Sequence, residues 1–152
     1  MKQSLSEYIY TINSTYCSEV PSIVETHSFV NDLIQLLFPI RTNRNITTRE
    51  IEIRLDRMKL RLKELLIPLE NILPKPPAVI AEEFFLTLPD TYGRLLEDAD
   101  TFYKSDPAAS CPEEIILSYP GYYALSVHRL AHALHQLEVQ VLPRAMSEYV
   151  HG

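Results

Sequence analysis

Glycine is scarce in this sequence: only 3 of the 152 residues are glycine, whereas 11 are proline. Three scattered glycines do not build the glycine-rich loops that cradle phosphate groups, which disfavours nucleotide binding of that type. No serine lies in a nucleophile-elbow pattern, which disfavours covalent serine catalysis. Because proline rather than glycine punctuates the chain, an all-β fold with glycine-containing hairpins is also disfavoured.

Cysteines and long apolar runs are equally scarce. Cys17 and Cys111 are too few for a disulfide framework, and Cys111 has no neighbouring histidine in sequence that would favour a catalytic thiol. The N-terminus lacks the apolar core of a signal peptide, and no run of 18 apolar residues occurs. We therefore expect a cytoplasmic protein without a membrane partner.

Positive charge is confined mostly to one segment of a chain whose net charge is −6. Eight of the 14 basic residues lie between Arg41 and Lys63. Such clustering is one requirement of a nucleic-acid patch, but these arginines fall on more than one side of a helix and no aromatic residues alternate with them. We favour a solvated or interface-forming helix face and predict no nucleic-acid partner, with a salt-sensitive RNA-binding domain as the alternative.

Helical patterns dominate, and the length is that of one domain. We predict an all-α fold of about six to eight helices without a sheet, comprising residues 1–152, with a possible subdivision at the proline-rich linker 74–77. Thr47 and Glu50 form a capping-box pattern that starts a long helix, whose apolar face from Ile51 to Leu69 is expected to bend at Pro68.

Further helices are expected beyond the linker. The patterns predict one helix over residues 78–86 and a second that begins near Pro89 and ends at Asp106-Pro107. Ser110 is the expected cap of a short helix, and a long helix from Gly121 to about Leu137 follows the turn formed by Tyr119, Pro120 and Gly121.

Several side chains near the C-terminus have chemical potential. His128, His132 and His135 have the spacing of one helix face, which suits zinc binding, but we favour a packing role and predict no metal site. Arg129 is expected to pair with Glu113, Glu114 or another carboxylate. The tyrosines around the turn, Tyr119, Tyr122 and Tyr123, are interpreted as packing residues. Residue chemistry alone leaves Asp106 either as a helix terminator before proline or as a ligand-binding carboxylate.

The segment from Asp106 to Ser147 combines four short motifs: Asp-Pro-Ala-Ala, Tyr-Pro-Gly, His-Arg-Leu-Ala-His and Leu-Pro-Arg-Ala-Met-Ser-Glu. In this combination it resembles the bacterial serine O-acetyltransferases, over roughly the last third of the chain. The resemblance implies the N-terminal helical domain of such an enzyme. In the family this domain is followed by a left-handed parallel β-helix of hexapeptide repeats, and no such repeat occurs in these 152 residues.

The resemblance implies an enzyme that transfers an acetyl group from acetyl-CoA to L-serine, a step of cysteine biosynthesis. Its catalytic histidine and aspartate would lie in the β-helix, so this chain is expected to be inactive alone and to bind no cofactor, acetyl-CoA being a co-substrate. Asp106 would contact the ammonium group of the substrate serine. Arg129 and His132 would be structural residues of the interface with the β-helix.

The resemblance also implies partners. Helical domains of the family join two trimers into a hexamer, and the face from Ile51 to Leu69 is the expected contact between copies. Cysteine synthase, a partner in the family, would bind through a C-terminal tail beyond residue 152, so the sequence leaves this partner open. The alternative from another functional class is a non-catalytic helical protein-interaction module.

Overall fold

A computed structural model describes residues 3–16, 20–42 and 45–150, and the fold in these ranges is entirely helical, without a β-strand. The seven α-helices are α1 (Leu5–Thr15), α2 (Ile23–Leu37), α3 (Thr48–Leu66), α4 (Pro77–Ser105), α5 (Pro112–Ser118), α6 (Pro120–Gln136) and α7 (Leu142–Glu148). Two 3₁₀ segments, Pro39–Arg41 and Ile67–Ile72, follow α2 and α3. The prediction of an all-α fold with six to eight helices is confirmed.

The N-terminus of α3 has the predicted capping box. The Glu50 amide donates to the Thr47 hydroxyl at 3.2 Å, and the Thr47 amide donates to the Glu50 carboxylate at 2.8 Å. The other end differs from the prediction, because α3 stops at Leu66 and Pro68 lies in the 3₁₀ segment instead of bending a longer helix. Proline lacks the amide that would continue the helical ladder, so the chain tightens into 3₁₀ geometry.

Helix α4 is one helix of 29 residues with Pro89 inside it, so the prediction of two helices here was wrong. An interior proline costs about 3 kcal/mol. The same apolar face is buried on both sides of it, including Ile80, Phe84 and Leu95, which are all fully buried. Because burial of one such side chain contributes about 1.5–3 kcal/mol, packing of the continuous face outweighs the cost of the proline.

The helices after α4 lie close to their predicted positions. Helix α6 runs from Pro120 to Gln136, one residue from each predicted boundary. Ser110 is not the cap of α5, since Cys111 occupies that position and makes no side-chain capping bond. The Ser110 amide instead donates to the Glu114 carboxylate at 2.7 Å, so an acidic side chain in the first turn reaches back to the chain before the helix.

A single hydrophobic cluster, which includes residues on both sides of the segment 74–77, forms the core. Helix α7 closes it by packing against α6 and α2. At this contact the rings of His27 and Tyr149 stack with centroids 4.4 Å apart. Helix α1 is the exception, because none of its residues is buried. Within the described ranges no helix has the length and apolar character needed to span a membrane.

Candidate functional site

Asp106 lies where α4 ends, in a turn that its own side chain stabilises. Its backbone is extended, at φ −116° and ψ 104°, as expected for a residue before proline. The Ala108 amide donates to the carboxylate Oδ1 at 2.9 Å, and the Ala109 amide donates to the Asp106 carbonyl at 3.1 Å. This side-chain turn, which aspartate forms readily, fixes the carboxylate at the surface beside the start of α5.

The second oxygen of this carboxylate is held from another part of the chain. The hydroxyl of Tyr119, the residue between α5 and α6, donates a hydrogen bond to Asp106 Oδ2. The Tyr119 hydroxyl and the Ala108 amide together hold the pKa of Asp106 below its ordinary value. The same hydrogen bond raises the pKa of Tyr119 to about 12. At neutral pH, therefore, Asp106 is ionised and Tyr119 keeps its proton.

The Asp106 carboxylate has no cationic partner within the described part of the chain. None of the ion pairs there, defined by a distance of 4.0 Å or less between nitrogen and oxygen, involves Asp106. A carboxylate has about four lone-pair positions, and the two hydrogen bonds occupy two of them. This half-buried anion can therefore accept hydrogen bonds from a cationic donor such as a primary ammonium group.

Arg129 links α6 to α4 through a carboxylate that the sequence did not single out. Its Nε and Nη2 both donate to Asp98, the latter to Oδ1 at 2.8 Å, in a two-bond fork. The Asp98 carboxylate raises the pKa of Arg129 further, so Arg129 stays charged. The partner is thus neither Glu113 nor Glu114 but another carboxylate at a junction of two helices, the third possibility that the sequence left open.

The histidines of α6 do not pack inside this chain, contrary to the interpretation of a semi-buried face. His128, His132 and His135 are all exposed. The ring centroids of neighbouring histidines are 6.3 Å and 6.2 Å apart. Across the described residues, no group of three or more histidine, cysteine, aspartate or glutamate side chains has an arrangement that would hold a metal ion. An interface role for His132 stays a prediction.

Tyr119 is the residue of the site that sequence reasoning missed. The packing interpretation is confirmed for Tyr122, which is 2% exposed and donates its hydroxyl to the Leu95 carbonyl at 2.8 Å. Tyr119 and Tyr123 also pack against the core, but the hydroxyl of Tyr119 in addition contacts Asp106, 13 positions earlier. Because α5 is short and has a turn at each end, the chain returns towards Asp106 after the helix. The signal in the sequence is the spacing of 13 positions between Asp106 and Tyr119.

Three residues of the basic segment are held by contacts within the chain. Arg41 Nη1 donates to the Ile116 carbonyl at 2.5 Å. Arg61 Nη1 lies 2.7 Å from a carboxylate oxygen of Asp32, and Lys59 Nζ lies 2.9 Å from Glu82. These contacts join α3 and the first 3₁₀ segment to neighbouring helices. Part of the basic segment therefore stabilises the fold rather than forming a surface for the phosphate backbone of a nucleic acid.

Comparison with known proteins leads to one family. The chain is 36% identical over 81 residues to a plasmid-encoded serine acetyltransferase of Synechococcus elongatus, covering 53% of this chain and 25% of that protein. It is 44% identical over 54 residues to serine acetyltransferase of Bacillus subtilis, covering 36% of this chain and 25% of that protein. The matches thus span about a quarter of these relatives. No protein-family model matches the chain.

Solved structures give the same result for the fold. Serine acetyltransferase 1 of Entamoeba histolytica, crystallised with L-cysteine, superposes with a TM-score of 0.69 and 26% identity over 80% of this chain and 45% of that one. Isoform 3 from the same organism superposes with a TM-score of 0.67 over 90% of this chain and 47% of that one, at 22% identity, which supports the fold alone. The class of the molecule is therefore an all-helical domain. In sequence and in fold it resembles the helical part of serine acetyltransferases, as predicted from the sequence.

Proposed function

We propose that this chain is the N-terminal helical domain of a cytoplasmic serine O-acetyltransferase, which transfers an acetyl group from acetyl-CoA to the hydroxyl of L-serine. In this proposal the domain has two tasks, to provide one edge of the serine site and to assemble copies of the enzyme. The observation that carries the first task is the ionised Asp106 carboxylate, which is fixed by two hydrogen bonds and has no cation within 4.0 Å in the described part of the chain.

Serine binding would use the unoccupied lone pairs of Asp106. The ammonium group of L-serine donates charge-assisted hydrogen bonds to this carboxylate, which orients the amino acid without taking part in bond formation. Family resemblance assigns the histidine and aspartate that deprotonate the serine hydroxyl to the β-helix. Acetyl-CoA would also bind there, so the chain alone is expected to be inactive.

Replacement of Asp106 in an active enzyme tests this role. The enzyme is made by joining this chain to the remainder of the Bacillus subtilis relative, and Asp106→Asn is compared with the parent fusion. Loss of a hydrogen bond to a charged group costs about 1.5–3 kcal/mol, which predicts a rise in the KM for serine of about 10- to 100-fold. The matched control is Asp100→Asn, because Asp100 is an exposed carboxylate of α4 whose partner is Lys104 at 2.5 Å.

The surface of α1 supports the second task. Leu5, Tyr8, Ile9 and Ile12 recur at the spacing of one helix face, yet none of them is buried, and Leu5 is 73% exposed. The face from Ile51 to Leu69, which the sequence favoured for contacts between copies, instead packs mainly inside the chain: Met58, Leu62, Leu65, Leu66 and Leu69 are buried. The apolar face of α1 is therefore the better candidate for contacts between copies.

The accessible surface of the chain is large for its mass. It amounts to 9846 Å² at 17.5 kDa. A compact monomer of that mass exposes about 7,900 Å², so the excess is about 2,000 Å². An interface of standard size buries about 800 Å² from each partner, so the excess is of the size that a contact with another copy or another domain would cover.

Sedimentation velocity at micromolar concentrations tests the assembly role. The chain is expected to self-associate, and Ile9→Lys is expected to shift it towards monomer because a charge then lies in the apolar face of α1. Leu96→Lys, on α4, is the control, since Leu96 is a 43% exposed leucine far from α1 in sequence. A chain that stays monomeric at high micromolar concentration contradicts the assembly role.

Arg129 and His132 are assigned to the contact with the β-helix. Both line a shallow pocket of about 200 Å³ between α4 and α6, together with polar side chains that include Arg94 and Gln136. Asp98 fixes Arg129 in place, while exposed His132 is free to meet a neighbouring domain.

A non-catalytic helical interaction module is the second candidate function. The observation that favours it is an apolar groove of about 630 Å³ between α3 and α4, whose lining includes Leu55, Phe85 and Leu88. Asp106 is not among its lining residues. The gene sequence that follows codon 152 separates the two candidates, because hexapeptide repeats there support the acetyltransferase and an unrelated sequence supports the module.

A further inference from the structure

We propose that Tyr119 is a positioning residue of the serine site, whose hydroxyl fixes the Asp106 carboxylate in the orientation that receives the substrate ammonium group. This inference rests on the proposed function of Asp106. It adds a second residue to the site and assigns to the Tyr-Pro-Gly turn a role in substrate binding, where the sequence indicated only packing.

The two hydrogen bonds to Asp106 act on different oxygens. The Ala108 amide holds Oδ1 from within the same turn, at 2.9 Å, and the Tyr119 hydroxyl holds Oδ2 from the other end of α5. The terminal torsion of aspartate is broad and roughly two-fold, so one anchor leaves the carboxylate plane free to rotate. Two anchors on opposite oxygens fix that plane, and with it the direction of the remaining lone pairs.

Tyr119 is itself fixed by the helices on either side. Its amide donates to the Ile115 carbonyl at 3.2 Å, and its carbonyl accepts from the amides of Tyr122 and Tyr123, both at 3.1 Å. Pro120 follows directly, which restricts the backbone of Tyr119 to extended conformations. The hydroxyl therefore belongs to the rigid frame of α5 and α6 rather than to a loose loop.

A neutral donor suits this position better than a cation. Lysine or arginine beside Asp106 would also orient the carboxylate, but would compete with the substrate ammonium group for it. The tyrosine hydroxyl orients the carboxylate and leaves its charge uncompensated. Glu114, whose negative charge also acts on Tyr119, adds to the local attraction for a cation.

The test measures the KM for L-serine of the active fusion, and NMR of this chain gives the titration midpoint of the Asp106 side-chain carbon. Tyr119→Phe is expected to raise the KM by about 3- to 10-fold, because Asp106 loses one of its two anchors but keeps its charge, and to move the Asp106 midpoint to higher pH. The control is Tyr123→Phe, because the Tyr123 hydroxyl donates to Asn31 at 3.3 Å and not to Asp106.

Each outcome decides one of the two proposals. If Asp106→Asn raises the KM but Tyr119→Phe has the KM of the parent fusion, the positioning role is wrong and the role of Asp106 stands. If Asp106→Asn leaves the KM unchanged, the proposed function of Asp106 is wrong and the role of Tyr119 fails with it. If Tyr123→Phe raises the KM as much as Tyr119→Phe does, the effect of Tyr119 is one on the fold, and the inference is overturned.

Discussion

The fork between Arg129 and Asp98 is expected to be a stabilising link between α4 and α6, and its strength can be measured. The side chains of Arg129 and Asp98 are 30% and 18% exposed, so solvent screens the pair only in part. Exposed pairs contribute about 0.2–1 kcal/mol, whereas hydrogen bonds to charged groups contribute about 1.5–3 kcal/mol. For a half-buried two-bond pair we expect a coupling energy of about 1–1.5 kcal/mol, between these ranges.

A double-mutant cycle isolates this coupling. Arg129→Ala, Asp98→Ala and the double variant are unfolded in urea, and the transition is followed by circular dichroism at the helical band. The same cycle on Arg94 and Asp90 serves as the control, because this pair joins successive turns of α4 and is 61% and 74% exposed. The control should couple by about 0.3–0.5 kcal/mol. A coupling at Arg129 no larger than the control would refute the structural role assigned to the fork.

Two further predictions concern the core and the response to acid. Leu130→Ala, at a fully buried position of α6, should lower the free energy of unfolding by about 2–5 kcal/mol in urea titrations, whereas Leu60→Ala, at a 60% exposed position, should change it by less than about 0.5 kcal/mol. Asp106 has a pKa below its ordinary value of 3.8 in the folded chain, so the stability that it contributes is present above pH 3.8 and disappears as the pH falls through the lower folded-state pKa. Asp106→Asn should therefore be less stable than the parent chain at neutral pH, and the difference should shrink in acid; a difference independent of pH contradicts this account.

Local signals in the sequence predicted the parts of the fold that local interactions determine. The capping box at Thr47 and Glu50 is a contact between residues three positions apart, and the boundaries of α6 follow from the adjacent proline turn. Helix α4 was divided wrongly because the cost of Pro89 is local, while the burial that offsets it depends on α3 and α6.

The candidate site was predictable only in part for the same reason. Motif resemblance led to Asp106, but its partner Tyr119 lies across α5, and the hydrogen bond forms only when the chain turns back at both ends of that helix. The pairing of Arg129 with Asp98 spans 31 positions, and several carboxylates were equally plausible before the helices were packed. The sequence could not predict that the apolar face of α1 would be exposed. An amphipathic pattern predicts an apolar face but does not identify what covers it.

The KM for L-serine of the active fusion, measured with and without Asp106→Asn at saturating acetyl-CoA, tests the central claim most directly. A carboxylate that only holds the substrate ammonium group changes binding of the ground state and the transition state alike. We therefore expect a KM raised about 10-fold or more, with kcat within about 2-fold of the parent. An unchanged KM in the variant would contradict it.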